Sequence, residues 1–195
     1  MTTTAFCLFD TAIGACAIAW GGRGLTGVQL PEADPARTRA RMARRYPGAV
    51  EAVPPAEVGE AIAAITALVG GEARDLGAIA LDMDGLEDLP RAVYAIARTI
   101  LPGQTLTYGE IAKRLSDPQQ ARAVGEALGR NPFAIVVPCH RVLAAGGRLG
   151  GFSANGGVVT KLRLLEIEGA QIGEAGPGLF DALPMAVRPP QRRER

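Results

Sequence analysis

The run TYGEIAKRLSDPQQARAVGEALGRNPFAIVVPCHRV, residues 107–142, holds the chain's clearest helix-start signals and its most unusual reactive cluster. Thr107-Tyr108-Gly109-Glu110 is a Thr-x-x-Glu capping box, followed by the apolar positions Ile111, Ala112 and Leu115. Asp117-Pro118 is a second start, with Asp at the N-cap and Pro in the first turn. The helix it opens sets Ala121, Val124 and Leu128 on one face and stops at Gly129. Two short capped helices joined by a tight turn, the second turning Arg122 outward, predict a helix-turn-helix. Such pairs also occur in enzymes without a nucleic-acid partner. After Asn131-Pro132, residues 133–137 read as a buried apolar strand that stops at Pro138-Cys139-His140-Arg141.

Downstream lies a glycine-rich loop (Gly146, Gly147, Gly150, Gly151, Gly156 and Gly157). It leads to a last helix over 158–168 that buries Val159, Leu162 and Leu165 and is closed by Gly169. The Pro- and Arg-rich tail from Gly176 is expected to be loose. Upstream, residues 92–100 predict a helix after Pro90, with Val93, Ile96, Ala97 and Ile100 inward, stopped by Pro102-Gly103. The N-terminal third reads as short strands over 6–9, 15–20 and 24–30 around glycine turns. A basic helical segment over 35–46 follows, then a helix over 56–68 with Val58, Ile62, Ile65 and Leu68 on one face, then a strand over 79–83. The expected organisation is an N-terminal α/β domain over 1–84, a second domain over 85–170 and a tail over 171–195.

Composition narrows the class. Of 195 residues, 48% are apolar and 21% charged, enough to bury a core and stay in solution, which excludes a disordered chain or a coiled coil. No stretch approaches the roughly 18–20 uncharged apolar residues of a membrane span. The N-terminus lacks a basic region and carries Asp10, so it reads as a first strand rather than a signal peptide. Cys7, Cys16 and Cys139 are an odd number without scaffold spacing, which points to a reducing cytoplasm. His140 is the single histidine. A zinc site would therefore need all three cysteines plus His140, and none is expected. The net charge of +1 is uneven: residues 1–100 carry nine Lys/Arg and twelve Asp/Glu, whereas 105–165 carry eight basic and three acidic side chains. An anionic partner would meet the second half, although on charge alone a solvated mixed surface is the favoured reading. The arginines of 35–46 could touch phosphate, but an exposed amphipathic helix is the reading favoured for them.

Cys139 is the candidate nucleophile. A thiolate attacks where a thiol does not, and a free pKa of about 8.5 demands a base or cation nearby. His140 and Arg141 are the neighbours available. Adjacent residues on an extended strand point opposite ways, so a bridging water is the expected link from Cys139 to His140. Cys7 and Cys16, in apolar strands, read as buried small hydrophobes. Glu166 and Glu168 sit where the helix dipole disfavours anions. Two solvated glutamates, at a cost of about a few tenths of a kcal/mol, is the reading the residues alone favour, and a partner for one of them, with His140 the candidate, is the alternative.

Taken together, these residues resemble the O6-alkylguanine-DNA alkyltransferases (methylated-DNA–protein-cysteine methyltransferases). The resemblance rests on Thr107 to Ala112, then Ala121-Arg122-Ala123-Val124-Gly125, then Arg130-Asn131-Pro132. It continues through Val137-Pro138-Cys139-His140-Arg141-Val142, Gly-Gly-Phe-Ser at 150–153, and Lys161 to Gly169, covering about residues 78–170. It implies an α/β (α+β) protein with a small ribonuclease-H-like N-terminal sheet domain and a C-terminal helical, winged-helix-like domain. It also implies direct-reversal repair of double-stranded DNA by a monomer. One alkyl group passes from O6-alkylguanine, with O4-alkylthymine as a further candidate, to the Cys139 sulfur, which consumes the protein and needs no cofactor or metal.

In that resemblance His140 activates Cys139 through water and Glu168 orients His140. Asn131 ties the recognition-helix turn to the active-site segment. Tyr108 crowds the 3′ phosphate and donates toward guanine N3. Arg122 fills the gap left by a flipped base, with Ala121, Gly125 and Arg130 beside it on the DNA in the minor groove. Val142, Phe152 and Ser153 line the substrate. This chain departs from the family in Leu89-Pro90-Arg91 and Val93-Tyr94, where Pro-Phe-Gln and Val-Trp are usual, and in two extra residues, Ala154 and Asn155. Two other readings compete. A lesion-binding relative that does not repair would lack the acceptor cysteine. A cysteine hydrolase would turn over and would have no use for Arg122.

Overall fold

The computed structural model describes residue 3 and residues 5–171; the expected loose tail lies outside the described residues. Three strands, β1 (Ala5–Thr11), β2 (Gly14–Gly21) and β3 (Gly24–Gln29), form antiparallel hairpins. The short β4 (Val50–Glu51) adds in parallel to β1, giving the order β3-β2-β1-β4. Alternate residues of β1 face opposite ways. Phe6 joins Ala17, Ala19 and Met42 under helix α1 (Pro35–Arg45), while Ala5 and Cys7 face the main core. Both sheet faces are therefore covered, which is why β2 is apolar along nearly its whole length. Helix α2 (Ala56–Val69) contributes Val58, Ala61, Ile65 and Leu68 to the same core.

The segment over 79–83 is not the strand its composition suggested. It makes a single bridge, Leu25 to Leu81, closed by Leu25 N–H on the Ala80 carbonyl and Asp82 N–H on the Leu25 carbonyl. Helix α3 (Asp88–Ala97) starts four residues earlier than Pro90 implied. Proline is tolerated in a first turn, where N–H groups lack intrahelical partners anyway. Tyr94 on α3 is buried, donates to the Ala127 carbonyl at 2.9 Å and packs edge-on against Phe133.

Helix α4 (Tyr108–Arg114) opens with the capping box complete in both directions. A 3₁₀ turn at Pro118–Gln120, capped by the Asp117 carboxylate, then leads into α5 (Ala121–Gly129). The helix-turn-helix is thus present, with Val124, Ala127 and Leu128 inward. One core runs without a break from β1–β3 through α2 and α3 to α4, α5 and Val142. Short strands β5 (Leu106–Thr107) and β6 (Val142–Leu143) pair in parallel and bring the start of α4 beside the Cys139 segment. Helix α6 (Val158–Ile167) closes the described chain; it buries Leu162, Leu164 and Leu165, but Val159 is half exposed and Lys161 takes an inward place instead.

Candidate active site

Cys139 does not end a strand. Residues 133–137 fold back on themselves, with Val137 N–H on the Phe133 carbonyl at 2.8 Å and Ile135 in the left-handed region (φ 72°). A β-branched residue there is strained by about 1–3 kcal/mol and needs the surrounding core to hold it. Asn131 secures the turn: its amide donates to the Val137 carbonyl at 2.8 Å, and its oxygen accepts from Phe133 N–H at 2.9 Å. Cys139 then begins a 3₁₀ turn, Cys139–Arg141.

That turn sends His140 and Arg141 to one partner. Glu168, just past α6, accepts from His140 Nε2 at 2.9 Å and from Arg141 Nε and Nη2 at 2.8 Å each. All three side chains are buried, and a third Arg141 nitrogen reaches the Ile100 carbonyl. Burial would raise the Glu168 pKa, yet the hydrogen bonds and charges of His140 and Arg141 hold it down at about 2. As a carboxylate it can only accept, so Nε2 of His140 carries the proton. Nδ1 is then a lone pair, and it is buried without a partner among the described residues. Burial lowers the His140 pKa, so the resting ring is neutral and able to take a proton. Glu166, the other C-terminal glutamate, is solvent-exposed.

Arg141 is therefore not the cation beside the thiol. Lys161 is. It is fully buried, donates from Nζ to the Val142 carbonyl at 2.6 Å and lies 6.0 Å from the Tyr108 ring centroid. Burial pulls its pKa to about 8, while the neighbouring Cys139 pushes the other way. Burial raises the Cys139 thiol; the Asn131 amide, Lys161 and the N–H groups of the turn oppose it. Burial raises Cys7, with Glu51 adding to it, and drives Cys16 to about 11 against a weaker opposing hydrogen bond from Thr11. Burial also raises the Tyr108 pKa, so its hydroxyl stays a donor.

Two clefts meet at Cys139. One, of about 530 Å³, is lined by Tyr108, Ala121, Arg122, Gly125, Leu128 and the 151–153 loop. A side chain at Gly125 would abut the Tyr108 ring, so a small residue keeps the floor open. The Arg122 side chain stands 93% exposed at the edge, 3.2 Å from Glu126. The other cleft, of about 450 Å³, takes Arg130, Asn131, Phe152 and Ser153, and also Arg41, Arg44 and Arg45 from α1. Val142 lines neither; its side chain is buried and only its carbonyl serves the site. The inserted Ala154 and Asn155 are tied to α6, through Gly157 N–H on the Ala154 carbonyl and the Thr160 hydroxyl on the Asn155 carbonyl. Among the described residues no group of three or more His, Cys, Asp or Glu side chains could hold a metal ion.

Sequence reasoning missed two of these features, Lys161 and the Arg141–Glu168 pairing, and set aside a third by reading the α1 arginines as an exposed amphipathic helix. The one available signal for the missed pair was Lys161 standing in register with the buried Leu164, Leu165 and Glu168 on α6.

The family described as "6-O-methylguanine DNA methyltransferase, DNA binding domain" matches residues 88–170. The methylated-DNA–protein-cysteine methyltransferase of Mycobacterium tuberculosis is 37% identical over 174 residues, covering 88% of this chain and 96% of that protein. The Mycobacterium leprae protein of the same name is 47% identical over 113 residues, 58% of this chain and 66% of its own length. The crystal structure of M. tuberculosis OGT in complex with DNA superposes with a TM-score of 0.65 at 34% identity, over 85% of this chain and 93% of that one. The O6-methylguanine-DNA methyltransferase of Pyrococcus kodakaraensis superposes with a TM-score of 0.66 at 28% identity, over 85% and 99%. On its sequence, its fold and the arrangement around Cys139, the chain belongs to the methylated-DNA–protein-cysteine methyltransferase family.

Proposed function

We propose that this protein repairs alkylated DNA by direct reversal, moving one alkyl group from guanine O6 to Cys139. The observation that carries the reading is the Cys139–His140–Glu168 arrangement opening onto a cleft edged by Arg122 of a helix-turn-helix. A base within a duplex cannot reach a partly buried sulfur, so the lesion is flipped out at a cost of a few kcal/mol. Arg122 occupies the vacated space, and the base enters between Tyr108 and the 151–153 loop. The sulfur attacks the alkyl carbon; the C–S bond forms as the C–O6 bond breaks, and that electron pair returns to the purine. The thiol proton moves toward His140 Nδ1, where Glu168 stabilises the resulting imidazolium. The Tyr108 hydroxyl protonates the departing guanine at N3, and the thiol proton in turn restores the tyrosine. Lys161 offsets negative charge on sulfur before attack.

The product is a thioether, whose stable C–S bond leaves no ready route back to the thiol, so each molecule reacts once. O4-alkylthymine is a second candidate substrate. We place the protein in a reducing cytoplasm; the three free thiols support this. Intact-mass measurement after mixing with an O6-methylguanine duplex is the test, followed by peptide mapping. One methyl per protein, on Cys139, is expected. Methyl on Cys7 or Cys16, or catalytic turnover without a retained methyl, would overturn the reading.

A further inference from the structure

Helix α1 carries more arginine than its surroundings explain. Five of the nine basic residues in the first hundred lie within residues 37–45, in a half of the chain that is otherwise acidic. Three of them are paired: Arg37 with Asp34 at 3.5 Å, Arg39 with Glu51 at 2.8 Å and Arg41 with Glu32 at 2.9 Å. Among the described residues Arg44 and Arg45 have no carboxylate within ion-pair distance; Arg45 rests 5.7 Å from the Tyr46 ring centroid. Both line the second cleft, where they meet Arg130, a residue contributed by the other half of the chain. Among the described residues the carboxylate nearest Arg130 is Glu126, at 3.9 Å.

Placement in the last turn of α1 gives Arg44 and Arg45 a local benefit, since cations there complement the helix dipole. That benefit explains basic residues at a helix end. It does not explain why two unpaired guanidiniums share a cleft with a third from the residue that caps α5, beside the nucleophile. Three like charges gathered at one opening repel each other unless an anion sits among them. The two clefts share Gly129, Cys139, Phe152 and Ser153, so the sulfur lies between the Arg122 side and the α1 side.

We propose that Arg44 and Arg45, together with Arg130, bind backbone phosphates of the DNA, making α1 a second phosphate-contacting edge across Cys139 from Arg122. This rests on the repair reading for the identity of the polyanion. Arginine forks suit phosphate oxygens, and such contacts position a duplex without reading its sequence. The footprint then includes the N-terminal half, although that half is negative overall.

The test compares the wild-type protein, the Arg44→Gln/Arg45→Gln double variant and the Arg44→Lys/Arg45→Lys double variant. Affinity for an unmodified duplex is measured across a salt series. Second-order rates are measured with an O6-methylguanine duplex and with free O6-benzylguanine, which has no phosphate. Each lost phosphate contact flattens the salt slope by about 0.9. The Gln variant is expected to lose between one and two contacts' worth of slope and roughly tenfold in duplex affinity. Its rate should fall further on the duplex than on the free base, and the Lys variant should keep most of the slope. An unchanged slope in a Gln variant with wild-type melting temperature would overturn the proposal. So would equal losses on duplex and free base, which would make these side chains part of the pocket wall. If the wild-type protein takes up no methyl, the repair reading fails by itself, and the salt slopes still report whether α1 touches DNA.

Discussion

His140 can accept a proton only at Nδ1, because Nε2 is committed to Glu168. Replacing it by Gln keeps a donor to Glu168 and removes the base. His140→Gln is therefore expected to slow methyl transfer at pH 7 by roughly 10²- to 10⁴-fold, as for loss of a general base. Since burial already raises the Cys139 thiol, the gap from wild type should narrow as pH climbs and the thiolate forms unaided. A constant ratio of rates across pH would remove His140 from the proton path. Glu168 predicts a different pH response, in folding rather than rate. Its carboxyl lies near 2 in the folded protein against an ordinary 4.5. A depressed carboxylate stabilises in full above the unfolded value and loses that contribution as pH falls from about 4.5 to about 2. The loss is on the order of 3 kcal/mol. Urea midpoints over that range should drop more steeply for wild type than for Glu168→Gln. That variant starts lower at pH 7, because it leaves Arg141 buried without its counter-charge.

The second helix of the helix-turn-helix separates base flipping from phosphate binding. Arg122 is almost fully exposed and, among the described residues, pairs only with Glu126 on its own helix, a contact of little value to folding. Arg122→Ala should therefore melt near wild type. If the side chain fills the vacated stack, Arg122→Ala and Arg122→Lys both lose repair of the duplex, by roughly 10- to 100-fold, far more than reaction with free O6-benzylguanine. Lysine is the poorer substitute because its ammonium cannot stack as a flat guanidinium does. Equal losses on both substrates would make Arg122 part of the pocket instead. This helix pair was legible because its signals are local: Thr107, Glu110 and Asp117 accept from N–H groups within three residues, and Pro118 fixes φ in a first turn. The segment over 133–137 was not. An unbroken apolar run reads the same whether extended or folded tightly in a core, and Ile135 gives no sign of its positive φ. Lys161 was hidden for the converse reason. Lysines are rarely buried, and only the fold brings the Val142 carbonyl, the Tyr108 ring and Cys139 around this one.

At the scale of the molecule, the site depends on segments far apart in sequence. Residues near 108, 131, 139, 161 and 168 converge on one sulfur, and Arg44 and Arg45 reach the same opening from α1. The uneven charge along the chain directs an anionic partner to the second half, and the acidic average of the first half left the α1 arginines read as an exposed amphipathic helix. The core that joins the two halves has a practical consequence. Trp20 is the only tryptophan and is buried in β2, while His140 is the only histidine and is buried beside Cys139. Each half thus carries one natural spectroscopic reporter that needs no labelling or assignment. Indole fluorescence and the imidazole ring resonances should lose their native signals at the same denaturant concentration, because strands and helices share one set of buried contacts. Two separate midpoints would show that the nucleophile's surroundings can open while the sheet stays closed.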